Sequence, residues 1–88
     1  MIKYTIYTED KNRKDIEKIF DNSLFIKGYT LIETIGKWKG ITEKALKIEI
    51  LLQKNYHHQI KSICQKIKRQ NKQEAVLFTA QEVESYFV

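Results

Sequence analysis

Several residue types that often define a protein class are rare or missing in this 88-residue chain. It contains no proline, three glycines and a single cysteine, Cys64. One cysteine excludes an intramolecular disulfide, which is typical of proteins in a reducing compartment. Because proline, Gly/Ser-rich linkers and low-complexity stretches are all missing, no domain boundary is visible, and we expect a single domain over residues 1–88.

Long apolar runs are missing as well. No stretch approaches the roughly 18 apolar residues that a membrane-spanning helix needs. The chain opens directly on a strand pattern at Met1-Ile2-Lys3-Tyr4, so we expect no secretory signal. These observations predict a cytoplasmic location and no membrane partner.

Size and charge narrow the classes of function. A chain of 88 residues buries only a modest hydrophobic core, which makes self-association a reasonable expectation. The hydrophobic content of 42% and the charged content of 31% are typical of a globular protein. The 16 Lys+Arg residues exceed the 11 Asp+Glu residues, giving a net charge of +5. This excess favours an anionic partner, although lysine-rich surfaces often serve only solubility.

The hydrophobic pattern predicts the same series of elements twice. The predicted strands are residues 2–8, 29–35, 45–52 and 74–79, and helical apolar stripes run over 16–20 and 60–67. Two strand–helix–strand units joined by a hairpin predict an α+β fold. It is a ferredoxin-like βαββαβ sandwich, an antiparallel sheet with two helices on one face. Right-handed crossovers give the strand order 4-1-3-2. Residues 82–88 alternate again, which leaves room for a short fifth strand.

Short polar side chains mark both helix starts. Asp10 or Asn12 is predicted to cap the first helix, and Asn55 the second, because such a side chain accepts a hydrogen bond from a free N–H of the first turn.

The face of the sheet opposite the helices is the first candidate surface. Alternation along the two central strands predicts Thr5, Tyr7, Lys47 and Glu49 on this face. A ligand, a protein partner or a second copy of the chain could cover it, and a plain solvated face is the alternative. Base stacking in the manner of an RNA-recognition motif is disfavoured, because Lys47 and Glu49 stand where aromatic side chains would be needed.

Residues 36–40 are the second candidate, since they hold two of the three glycines and the only tryptophan. Glycines at both ends predict a tight or bulged turn whose tip projects Trp38 between Lys37 and Lys39. An indole flanked by cations suits a base, a phosphate-bearing ligand or a neighbouring subunit. The alternative is that Trp38 folds back onto the sheet edge as a packing anchor.

The second helix carries the third candidate, a basic face formed by Lys61, Lys68, Arg69 and Lys72. Positions 61, 68 and 72 share one side of a helix, so a stripe of phosphate contacts is one interpretation. A solvated basic face is the more common one.

The residue types that often act in catalysis or metal binding have simpler structural explanations here. Cys64 lies in the apolar stripe of the second helix, which predicts a core position rather than a nucleophile. His57 and His58 are adjacent and point about 100° apart on a helix, so they cannot easily bind one metal ion together. Glu9 and Asp10 close the first strand, which resembles the small ferredoxin-like nuclease subunit of CRISPR adaptation, but a helix start explains them equally well. We therefore expect no catalytic group, metal or cofactor.

From Thr34 onward the chain resembles the CutA-like and PII-like group of ferredoxin-fold trimers. The central hairpin of that group carries a tryptophan followed by x-Gly, and then a glutamate that leads into an apolar strand. Trp38-Lys39-Gly40, Glu43 and residues 46–52 follow this layout, as do the closing segments 74–77 and 81–84. The resemblance implies the fold and a trimer whose subunits join sheet edges.

The first half of the chain departs from that group. Tyr7-Thr8-Glu9-Asp10 stands where CutA-like proteins carry a cysteine–threonine signature. Only residues 36–42 separate strands two and three, so the long nucleotide-binding loop of PII proteins has no counterpart, and the terminal helix is missing too. The resemblance therefore implies no metal site.

These patterns predict a non-enzymatic homo-oligomer, a trimer rather than a dimer, with a ligand-binding or regulatory function. Its ligand would be small and anionic, such as a nucleotide, at a cleft between subunits. The candidate ligand or interface residues are Lys37, Trp38, Lys39, Glu43, Tyr7 and Lys47. Two alternatives stay open: a nucleic-acid-associated protein that uses the basic helix and the hairpin, and an interaction or inhibitor module that acts through the open sheet face.

Overall fold

A computed structural model describes all residues from 1 to 88 as two helices packed on one four-stranded sheet. In chain order the elements are β1 (Ile2–Glu9), α1 (Arg13–Asp21), β2 (Thr30–Trp38), β3 (Ile41–Leu52), α2 (His57–Asn71) and β4 (Leu77–Glu82). The sheet order is β2-β3-β1-β4, and every neighbouring pair is antiparallel. The predicted ferredoxin-like fold and its strand order are therefore confirmed. Neither helix is long and apolar enough to cross a membrane.

The core lies between the helices and one face of the sheet. Every second residue of β3 from Leu46 to Leu52 is buried, as the alternation predicted. The stripe of α2 packs against this face and includes Cys64, whose burial raises the pKa of its thiol to about 12. Cys64 is therefore a core residue, as predicted, and is held as the neutral thiol.

The two predicted helix caps differ in outcome. Asn12 precedes α1 with a left-handed backbone (φ 55°) and makes no side-chain cap hydrogen bond. Asp10 does not cap the helix either; its carboxylate accepts a hydrogen bond from Nε of Arg13 at 3.1 Å. Asn12 therefore holds the predicted N-cap position of α1, but neither side chain caps the helix, because that of Asp10 pairs with Arg13 and that of Asn12 donates to Asn71. At α2 the N-cap residue is Tyr56, which makes no side-chain cap hydrogen bond, and Oδ1 of Asn55, one residue earlier, accepts from the His57 N–H at 2.8 Å.

The β2–β3 hairpin is longer than predicted. β2 continues to Trp38, and only Lys39 and Gly40 form the turn, with φ of 50° and 80°. Two central residues with positive φ match the twist of the flanking strands, which is why such turns are common in hairpins. Gly36 lies within the strand, and Trp38 pairs with Ile41 across the hairpin. Trp38 therefore does not project from the tip.

β4 lies further along the chain than predicted. Leu77 is its first residue paired with β1, and Glu82 is its last. Residues 83–88 form no fifth strand. Val83 still donates its N–H to the Met1 carbonyl at 2.9 Å, but β1 begins at Ile2, so the chain beyond Val83 has passed the end of its partner strand.

Candidate functional site

The face of the sheet opposite the helices, here called the open face, carries exposed apolar side chains. Tyr7 lies in its centre, with Lys47 of β3 beside it on one side and Leu77 of β4 on the other. Six large apolar residues of this face are exposed: Tyr7, Ile32, Trp38, Ile41, Leu51 and Leu77. Because monomeric proteins rarely expose large apolar patches, such a concentration is typical of a binding surface.

The central charged residues of the open face are paired with one another. Oε2 of Glu49 lies 3.4 Å from Nζ of Lys3 and 3.6 Å from Nζ of Lys47. Thr5 is almost completely buried among its neighbours on this face. Lys47, a predicted ligand residue, is therefore already close to a carboxylate and is not a free cation.

Two carboxyl groups meet at the hairpin end of the open face. Glu9 lies opposite Ala45 in the β1–β3 register, and Glu43 lies two residues before Ala45 on the same side of β3. Desolvation raises the pKa of Glu43, and a hydrogen bond to the Glu9 carboxyl and its negative charge raise it further, although Lys11 acts in the opposite direction. Such a pair can share a proton or bind a cationic group.

Trp38 and Lys39 converge on a residue from the far end of the chain. The indole N–H of Trp38 donates to Oε2 of Glu74 at 3.3 Å, and Nζ of Lys39 lies 2.8 Å from Oε1. The hydrogen bond from Lys39, and then the one from Trp38, lower the pKa of Glu74. Lys37 takes no part, because it alternates to the other side of the hairpin. Trp38 therefore folds back over the sheet while 52% of its surface stays exposed.

A partly buried polar network holds the end of β1 next to Glu9. Asn71, at the end of α2, donates from Nδ2 to Oε1 of Gln73 at 2.9 Å and accepts from Nδ2 of Asn12 at 3.1 Å. Thr8 donates to the same Gln73 oxygen at 2.5 Å. The network ties the end of β1 to both helices, so it fixes the backbone that carries Glu9.

The predicted basic face is exposed but spread out. Lys61, Lys68 and Arg69 lie on α2, and Lys72 follows the helix with a left-handed backbone (φ 54°). None of the four forms an ion pair. Lys61 and Lys72 are about 16 Å apart along the helix axis. The four cations therefore form a strip and do not converge on one point.

The two histidines at the start of α2 have structural surroundings. The ring of His57 meets the ring of Tyr4 edge-on, with centroids 5.4 Å apart. His58 is exposed beside it. No group of three His, Cys, Asp or Glu side chains in the chain is arranged to hold a metal ion.

Glu9 and Glu74 belong to this site although the sequence predicts only local roles for them. Glu9 closes a strand, and in an antiparallel pair its register with β3 brings it opposite the residues that follow the hairpin turn. That register could have predicted its contact with Glu43 to within a residue or two. The approach of Glu74 to Trp38 depends on the coiling of the hairpin, for which no local pattern exists.

No protein-family model matches the chain, and no curated protein matches its sequence. Solved structures are similar to it in fold, among them the following two. A DUF3240 family protein from Shewanella baltica OS155 has a TM-score of 0.73 at 13% sequence identity, over 99% of this chain and 93% of that chain. A phage SAM lyase in its apo state has a TM-score of 0.64 at 15% identity, over 91% of this chain and 78% of that chain. At such identities the likeness establishes the fold alone, and the CutA-like and PII-like resemblance stays a prediction.

Proposed function

We propose that the protein is a homo-oligomer that binds a small ligand at the hairpin end of its open face, in a cleft between subunits. The observation that carries this proposal is the exposure of six large apolar side chains on one face of the sheet. A neighbouring subunit that covered this face would remove apolar surface from water, which is the main driving force for association. The resemblance to ferredoxin-fold trimers favours three subunits.

The small core supports the same proposal. Only 13 hydrophobic residues are buried in the chain, and domains of this size are marginally stable alone. Tyr7, Trp38 and Leu77 would each add buried area on association. The Glu9–Glu43 pair would then lie at the edge of the contact, where partial desolvation strengthens its interaction with a ligand.

The charges at the hairpin end favour a cationic ligand over the predicted anionic one. Lys39 and Lys47 already lie close to Glu74 and Glu49, respectively. The Glu9–Glu43 pair, by contrast, has only Lys11 nearby to offset two carboxyl groups. We therefore favour S-adenosylmethionine (SAM), whose sulfonium would lie against the carboxyl pair and whose adenine would stack on Trp38 or Tyr7. The similarity to a phage SAM lyase supports this ligand class.

Thermal stability measured with SAM and with ATP tests the ligand. SAM is expected to raise the melting temperature of the wild type and of Glu84→Gln, an exposed control with no ion pair. Glu43→Gln is expected to abolish the response. A response to ATP alone would restore the anionic nucleotide as the ligand. No response to either compound, together with a monomeric mass in solution, would contradict the proposal.

Cleavage of SAM is a second candidate function, and the Glu9–Glu43 pair is the observation that favours it. A carboxyl group whose pKa is raised by desolvation and by a second carboxyl accepts a proton more readily than an ordinary carboxylate. In an elimination, the carboxyl would accept a proton from the carbon next to the breaking carbon–sulfur bond, and the electrons of that C–H bond would form a C=C bond in the released amino-acid fragment. The bonding pair of the broken carbon–sulfur bond moves to sulfur and leaves a neutral adenosyl thioether. Mass spectrometry of SAM after incubation with the wild type and with Glu43→Gln separates the two functions. If only the wild type forms the thioether, the protein is an enzyme that cleaves SAM. If SAM stays intact, the protein binds SAM without cleaving it.

A further inference from the structure

We propose a second ligand site at the opposite end of the sheet, in a groove that takes a small aromatic anion. The groove lies between the α1–β2 connection, the end of β3 and the start of α2, and has a volume of about 960 Å³. This volume lies within the range of pockets that bind drug-sized ligands. Neither Trp38 nor Glu43 lines it, although it borders the open face through Lys3, Glu49 and Leu51, so it lies apart from the site proposed at the hairpin end.

The aromatic wall of the groove is already built. The rings of Phe25 and Tyr56 stack with centroids 4.7 Å apart and an angle of 18° between their planes. Tyr29 packs on Phe20 at 5.0 Å between centroids. Ile26 is buried in the core and anchors the connection that carries Phe25. A wall held in place by the core needs little ordering when a ligand arrives, which favours affinity.

The charges of the groove are unbalanced. Its charged side chains are Lys3, Lys27, Lys54 and Glu49. Glu49 lies 3.4 Å from Lys3, whereas Lys27 and Lys54 form no ion pair. Nζ of Lys54 lies 5.4 Å from the centroid of the Tyr56 ring. Two uncompensated ammonium groups therefore stand beside stacked rings.

This combination selects the chemistry of the occupant. An apolar peptide would cover Lys27 and Lys54 without pairing them, and burying an unpaired charge is costly. An inorganic anion would pair the lysines but leave the faces of Phe25 and Tyr56 in water. A flat ring that carries a phosphate, sulfonate or carboxylate group complements both features.

The wild-type protein can be tested with two probes, anilinonaphthalene sulfonate and adenosine monophosphate. Either probe is expected to bind saturably, one per chain, and to shift the backbone amide signals of Lys27, Gly28 and Tyr56 in NMR spectra. The double variant K27E/K54E is expected to bind about tenfold or more weakly. The variant K14E/K66E makes the same change of net charge at exposed residues that form no ion pair, and it is expected to bind like the wild type.

Gly28→Leu provides a steric test that leaves the charges unchanged. A Cβ at Gly28 would meet no atom within 4 Å, so the variant is expected to fold while its side chain narrows the groove. Loss of probe binding in this variant would support the site. Binding of adenosine monophosphate would assign a phosphate-bearing ligand, and binding of the sulfonate alone would assign another aromatic anion. Equal binding by K27E/K54E and K14E/K66E, or signal shifts confined to the hairpin end, would overturn the proposal.

Discussion

The indole N–H of Trp38 donates a hydrogen bond to the carboxylate of Glu74 at 3.3 Å. Trp38 ends β2 and Glu74 precedes β4, and these are the two outer strands of the sheet. The contact therefore links opposite edges of the sheet across the end of β1. Since 52% of the Trp38 surface stays exposed, the indole is held in place and still offers apolar area to a neighbouring subunit.

Trp38→Ala is expected to weaken self-association by about 2–4 kcal/mol, as for other aromatic residues at the centre of an interface. Light scattering over a range of protein concentrations measures the change, and Leu24→Ala is a matched control, because Leu24 is exposed outside the sheet. A clean monomer mass for the wild type at high micromolar concentration would contradict this expectation.

Tryptophan fluorescence tests the same contact without a mutation, because Trp38 is the only tryptophan. In the oligomer its emission maximum is expected to be blue-shifted and to move to longer wavelength on dilution. An emission maximum at long wavelength at every protein concentration would mean that the indole stays in water and does not anchor an interface.

Glu43→Gln is expected to raise the melting temperature at neutral pH. In the folded protein the pKa of Glu43 lies above its ordinary value of 4.5, so folding favours the protonated carboxyl. Its contribution to stability is fully present below the unfolded pKa and is lost as the pH rises through the raised folded pKa. The neutral amide keeps that contribution at every pH, so the difference from the wild type should grow from pH 4 to pH 7.

Thermal melts of Glu43→Gln and Glu84→Gln across this pH range check the prediction. Glu84→Gln should follow the wild type, because Glu84 is exposed and forms no ion pair. A melting temperature of Glu43→Gln that stays at or below that of the wild type at pH 7 would show that the two carboxyl groups do not repel each other. A gain in stability combined with a loss of ligand binding is typical of functional residues.

The fold could be predicted from the sequence because its determinants are local. The alternation from Leu46 to Leu52 and the helical spacing of Ile60, Ile63 and Ile67 identify their buried faces without any knowledge of their neighbours. The handedness of the crossovers then sets the strand order.

The site could be predicted only in part, because its contacts join distant segments. Gly36 suggested a turn, yet it pairs with Glu43 inside the hairpin, since the register of two long strands outweighs the preference of one glycine. The Glu9–Glu43 and Trp38–Glu74 contacts depend on register and coiling between segments far apart in the chain. The groove near Lys27 and Lys54 depends on the packing of a connection that has no periodic pattern.

Replacing Lys61, Lys68 and Lys72 together by alanine is expected to leave any tight nucleic-acid binding unaffected. The three side chains are exposed on α2 and just beyond its end, and none of them lines the groove near Lys27 and Lys54. Gel-shift assays at physiological salt are the measurement, because contacts with phosphate weaken steeply as salt rises. Sub-micromolar binding that disappears in the triple variant would instead favour a nucleic-acid-associated function.

Tyr4→Phe is expected to destabilise the fold by about 1–3 kcal/mol, the usual cost of leaving a buried hydrogen-bonding group without its partner. Tyr4 is completely buried, and its hydroxyl accepts a hydrogen bond from the backbone N–H of Tyr56 at 2.8 Å. This hydrogen bond joins β1 to the residue before α2, so the substitution removes a contact between the sheet and the helix. In a domain of this size each kcal/mol lowers the melting temperature by about 4–8 °C.

The control is Tyr86→Phe, which removes a hydroxyl that reaches only the exposed Glu84 and should change stability by less than about 0.5 kcal/mol. Both variants are compared at one protein concentration, because self-association makes melting temperatures concentration-dependent. Equal melting temperatures for the two variants would mean that water satisfies the Tyr56 N–H as well as the Tyr4 hydroxyl does.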